Sequence, residues 1–100
     1  MDLVIRVKDV KGRCPVYKVG DEFTLKDGYR LVADMPICMH SLACLMPHYN
    51  ALRISQPGQW GLAGKDDASK AYFQCLDAAE YTGGGTVTFE VSRRDQDQGH

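Results

Sequence analysis

Residues 34–54, DMPICMHSLACLMPHYNALRI, constrain the fold most, because no other long run in the chain has helical periodicity. Cys38, Leu42, Leu45, Tyr49 and Leu52 recur at steps of three and four, which predicts one buried stripe. Asp34 is a residue type that caps helices, and Pro36 is tolerated in a first turn. Pro47 removes a helical donor and clashes with the turn before it, so a kink or two short helices are expected there. The stretch also carries Cys38, Cys44, His40 and His48, which is two of the four cysteines and two of the three histidines.

Strands flank it. In residues 3–8, LVIRVK, Leu3, Ile5 and Val7 alternate against Val4, Arg6 and Lys8, the pattern of a half-buried strand. Residues 11–21, punctuated by Gly12, Pro15 and Gly20, read as a loop. Residues 22–26 and 29–33 read as a hairpin about Asp27-Gly28, a pair that accepts positive φ. Residues 55–69 form a long loop holding the only tryptophan, Trp60. Residues 70–75 and 86–91 are strands, separated by a glycine-rich turn over 80–85. The order β-β-β-α-β-β predicts an α+β domain over 1–91, a mostly antiparallel sheet or small open barrel against one kinked helical segment. The polar residues 92–100 are expected to be a frayed, flexible tail. The expected core is Leu3, Ile5, Val7, Phe23, Leu25, Phe73, Val87, Phe89 and Val91 with Leu42, Leu45 and Leu52.

One hundred residues suit one domain, and 44% hydrophobic content excludes general disorder. A net charge of −1 with no basic stripe argues against nucleic-acid binding. No apolar run approaches about 18 residues, and the first residues are a charged strand, so neither a membrane span nor a leader is expected. A cytoplasmic place follows, with all four cysteines reduced. A chain this short buries only part of its surface and has two potential edge strands, so a homo-oligomer is expected.

The segments KGRCPVYKVGD, CMHSL, AYFQCLD and YTGGGTVTFE together resemble a family of small bacterial and archaeal proteins of about this length. The resemblance covers residues 3–91. It implies a Cys-Pro in the first loop, a Cys near the helix start and a Cys at the end of the fourth strand, here Cys14, Cys38 and Cys75. His40 falls on a histidine position of that pattern, whereas Cys44 and His48 match none. The resemblance implies a residue set and names no reaction.

Read as chemistry, Cys38 in a first helical turn is a candidate for a thiolate favoured by the amide dipoles, with His40 as base or ligand. A packed core cysteine is the plain alternative. Cys14 sits in a loop, where packing gives a cysteine little reason to be. With Cys75 and His40, Cys14 and Cys38 make a conceivable Cys3His set for zinc or iron, although no C-x2-C pair is present. His40, Cys44 and His48 form a second conceivable ligand row, interrupted by Pro47. Trp60 is a candidate stacking surface for a ligand, and Asp77 a carboxylate that can orient a histidine. The three glycines 83–85 precede a strand, so they read as a turn rather than a phosphate cradle. The leading expectation is a Cys/His pocket for a small ligand or metal ion. The alternatives are a cofactor-independent lyase, isomerase or hydrolase using Cys38 and His40, and an accessory subunit without chemistry.

Overall fold

The computed structural model describes residues 1–95. Five strands form one antiparallel sheet: β1 (Asp2–Gly12), β2 (Glu22–Lys26), β3 (Arg30–Val32), β4 (Ala71–Gln74) and β5 (Gly85–Arg94), in the order β3-β2-β1-β5-β4. Three helices accompany it: α1 (Met39–Leu45), α2 (Tyr49–Ile54) and α3 (Ala79–Thr82), with a single 3-10 turn over Pro57–Trp60. The sheet is open, and the α+β class expected from the sequence is the one observed.

β1 is the centre, pairing β2 on one side and β5 along its whole length on the other. Its register shifts between Val7 and Asp9. The extra residue is Lys8, and the bulge changes the parity of the strand, so Leu3, Ile5 and Val7 before it and Val10 after it face the same core. The β2–β3 hairpin turns on Asp27 and Gly28 with φ of 59° and 82°, the mirror-image geometry that an Asp-Gly pair tolerates. The buried carboxylate of Asp2 accepts the Asp27 N–H at 3.0 Å and ties this turn to the start of β1.

One sheet face is covered by α1 and α2. Leu3, Ile5, Val7, Phe23, Leu25, Val87, Phe89 and Val91 are buried with Leu45 and Leu52. Leu42 and Phe73 are only half-buried, because Leu42 lies on the flank of α1 and Phe73 on the short outer strand β4. Phe73 still stacks on Phe89 at 4.8 Å between ring centroids. Tyr17 joins this core from the first loop and meets the edge of Phe89 at 5.4 Å.

Two expectations are corrected. The helix begins at Met39, not at Asp34, and its N-cap residue is Cys38 with φ −76° and ψ 131°. Pro36 disfavours helical geometry at Met35, and the chain bends at Asp34 and Met35 and stays irregular to Cys38, while Met35, Ile37 and Cys38 pack on the core. Pro47 separates α1 from α2, the second of the two outcomes expected of it. Ser92, Arg93 and Arg94 are not a frayed tail. They pair with Val4, Leu3 and Asp2, because β1 is long enough to template them. The rest of the expected tail, 96–100, lies outside the described residues. No helix among the described residues is long and apolar enough to cross a membrane.

Candidate functional site

At one end of the sheet the first loop, the start of α1, the end of β4 and the turn before β5 meet. They enclose a cleft of about 300 Å³ whose lining includes Cys14, Cys38, His40 and Cys75. Backbone packing explains the convergence. Gly12 pairs with Gly85 at the end of the β1–β5 ladder, and Arg13 N–H donates to Gly84 O at 3.2 Å. A Cβ on Gly85 would lie 2.6 Å from the carbonyl of Arg13 and 2.8 Å from the Cys14 nitrogen. Gly12 has φ +76° and no room for a side chain either, since a Cβ there would meet Gly84 O at 2.3 Å. The glycines 83–85 are therefore more than a turn. Gly12 and Gly85 let the Cys14 loop and the turn before β5 approach backbone to backbone.

Cys14 is held by its own loop, where the Tyr17 N–H donates to its sulfur at 3.3 Å. Cys38 is fixed by a closed ring of hydrogen bonds. Its N–H donates to the Tyr17 hydroxyl at 2.9 Å, and Ser41 Oγ donates to its carbonyl at 2.8 Å. Ser41 has one proton and spends it on that carbonyl, so the 2.8 Å contact between Tyr17 and Ser41 has Tyr17 as donor. Tyr17 and Ser41 are both buried, and burial pushes the Tyr17 phenol above its usual value. Negative charge on Cys38 or Cys14 would raise it further. The phenol therefore stays protonated and keeps donating.

Cys75 is the most buried of the three thiols. Its sulfur donates to Gly85 O at 3.6 Å and accepts the Asp77 N–H at 3.4 Å. Cys14 and Cys38 are half-buried, packed against the edge of the core, and His40 is exposed. Arg13 and Asp77 are the charged residues of the lining. The Asp77 carboxylate accepts the hydroxyl of Thr82, which ties it to α3.

The cleft brings together Cys14, Cys38, His40 and Cys75. It does not bring Trp60, which lies on the 3-10 turn, half exposed, with its indole N–H donating to Ser55 Oγ at 2.7 Å. Nor is the Cys3His set drawn into a metal-holding geometry. Among the described residues no group of three or more His, Cys, Asp or Glu is placed to share an ion. The His40, Cys44, His48 row fails for the reason Pro47 suggested. His48 turns back on α1 and its Nδ1 meets Cys44 O at 3.2 Å, so that nitrogen carries the proton. Cys44 lies away from the cleft lining, and burial pushes its thiol up, with Cys75 adding to the effect.

Sequence reasoning missed Arg13, Tyr17 and Ser41. Tyr17 left a signal: an apolar Val16-Tyr17 pair inside a glycine- and proline-bounded loop needs something to bury against. Ser41 left none, because a serine on a helix face next to an apolar stripe looks like a surface residue. The chain matches no protein-family model, no curated protein and no solved structure with which it was compared.

Proposed function

We propose that the chain is a small-ligand-binding domain whose cleft presents the thiols of Cys14 and Cys38, with His40 at the opening as proton carrier or hydrogen-bond partner. The observation that carries this reading is the shared cleft of about 300 Å³ lined by Cys14, Cys38, His40 and Cys75. Its size suits a metabolite-scale ligand at the small end of such sites. The network of Tyr17 and Ser41 supports the reading, because it spends buried polar groups on orienting one cysteine. Zinc or iron has less support than a small molecule, since the ligand atoms do not gather.

The test is thiol mapping. The intact protein is treated briefly with iodoacetamide near neutral pH, and the modified cysteines are read by mass spectrometry. Cys14 and Cys38 are expected to react first, with Cys75 slow through burial and Cys44 slow through its raised pKa. Cys44 reacting as fast as Cys38 would remove the site. The catalytic alternative, Cys38 as nucleophile and His40 as proton carrier, uses the same lining and would show as a loss of turnover in His40→Gln with Cys38 alkylation little changed.

Assembly and compartment belong to the same proposal. All four cysteines are free, in keeping with a reducing cytoplasm. The outer edge of β4 is occupied by residues 62–64, through Tyr72 N–H to Leu62 O at 2.9 Å and Gly64 N–H to Lys70 O at 2.9 Å. β3 forms the other edge, exposed along its three residues, with Leu31, Val32 and Tyr29 accessible. Two copies pairing antiparallel about Val32 would set Arg30 of each against Asp34 of the other. A homodimer through this edge is the assembly we propose.

A further inference from the structure

The thiol cleft opens beside a second, larger cleft of about 740 Å³, and the two share Arg13, Asp77 and Gly84 in their linings. Arg13 thus stands at the junction. Its backbone is pinned: the N–H donates to Gly84 O at 3.2 Å, and its carbonyl packs where any side chain on Gly85 would go. Arg6, Arg30 and Arg53 are held by Glu22, Asp27 and Asn50, whereas the side chains of Arg13, Arg93 and Arg94 have no hydrogen bond or ion pair among the described residues, and of these three only the exposed Arg13 lines the thiol cleft. Lys11, one cleft over, has none either. Of the carboxylates nearby, Asp77 lines both clefts and accepts the Thr82 hydroxyl while keeping its charge, and Glu80 is exposed on α3, so the two basic groups must outweigh them.

Resting on the ligand-binding reading above, we propose that the ligand of the thiol cleft is a small anion whose carboxylate or phosphate is held by Arg13 at the junction, with Lys11 adding charge from the adjoining cleft. A planar guanidinium with its donors free grips an oxyanion through two parallel hydrogen bonds. A fixed backbone lowers the entropy lost in doing so. The remainder of the ligand then lies against Cys14 and Cys38, so the cleft selects for one charged end and one end that contacts sulfur.

Two alkylating agents of nearly equal size separate charge from reactivity. With either one, the thiolate sulfur forms a bond to carbon as iodide leaves. Iodoacetate is anionic and iodoacetamide neutral. In the intact protein at low salt, the ratio of iodoacetate to iodoacetamide rates at Cys14 or Cys38 is expected to exceed that of a cysteine in an unstructured peptide by fivefold or more. Arg13→Gln is expected to return the ratio to the peptide value, the iodoacetamide rate of the same variant serving as the reference for thiol reactivity. Arg13→Lys should restore part of it. Protection by succinate or by inorganic phosphate then tells a carboxylate from a phosphate ligand. A peptide-like ratio, a ratio indifferent to Arg13→Gln, or protection by neither anion overturns the assignment of Arg13 and leaves the thiol cleft standing. Slow iodoacetamide at both thiols overturns the cleft reading and this inference with it.

Discussion

Glu90 shows how one residue on the open face of the sheet is made to tolerate burial. Only 6% of it is exposed, yet its carboxylate accepts the Tyr72 hydroxyl at 2.7 Å and meets Lys70 at 3.4 Å and Lys8 at 3.6 Å. The Tyr72 hydrogen bond is the main reason its pKa is lowered, with the two lysines helping and desolvation opposing. In return the Tyr72 phenol is pushed up to about 12, chiefly by that same bond. A carboxylate with a lowered folded pKa adds stability above its unfolded pKa and loses it as pH falls through the folded value. The stability of the protein should therefore decline in acid more steeply than that of Glu90→Gln. For the phenol the sign is opposite. Its contribution is complete below pH 10 and fades as pH rises toward 12. Tyr72→Phe should cost about 1.5–3 kcal/mol at neutral pH, the worth of one hydrogen bond to a charged group. Parallel acid titrations of wild type and Glu90→Gln that superimpose, followed by circular dichroism, would defeat this account.

Among the elements, the junction of β1, β5 and the Cys14 loop is the one whose geometry the site depends on. Gly85→Ala places a methyl 2.6 Å from backbone atoms of Arg13 that cannot rotate away. The expected cost is about 1–3 kcal/mol, as for other overpacked sites, with the loop displaced from the sheet. Thiol mapping checks it independently of stability. Cys14 in Gly85→Ala should alkylate at a changed rate while Cys44, on α1, keeps its own. A denaturant midpoint and a Cys14 rate both equal to wild type would show that the close approach is not needed. The α1–α2 break belongs to this scale too. Pro47 ends one helix so that the second can turn and bury Leu52 against the sheet.

For the molecule as a whole, stability rests on a single core and on what covers its edges. Phe89 is fully buried and its ring meets Tyr17, Phe23 and Phe73 within 6.4 Å. Phe89→Ala should cost about 3–5 kcal/mol in chemical denaturation, the range for deleting a buried aromatic ring. Such a loss is a large part of the whole for a domain this size. The exposed edge of β3 carries the assembly prediction. Sedimentation should report a dimer at micromolar concentration, and Val32→Lys should return it to monomer without lowering core stability. A wild-type protein that sediments only as monomer rules the edge pairing out.

What the amino-acid sequence determined on its own was everything that repeats locally. Alternation in LVIRVK and TVTFEV marked the two central strands, Asp27-Gly28 marked its turn, and Pro47 marked its break, because each depends on the backbone preferences of a few neighbouring residues. The residues of the cleft were nameable by type, since Cys14, Cys38, His40 and Cys75 are chemically distinct wherever they lie. Tertiary structure decided the rest. The start of α1 moved from Asp34 to Met39, because packing of Ile37 and Cys38 on the core outweighed a cap. Residues 92–94 became strand because β1 was there to pair with them. Tyr17 and Ser41, 24 positions apart, became partners only when a loop and a helix met over the sheet. Arg13 acquired its place for the same reason: the close approach of two glycine backbones far apart in the chain is a property of the fold, and no local pattern announces it.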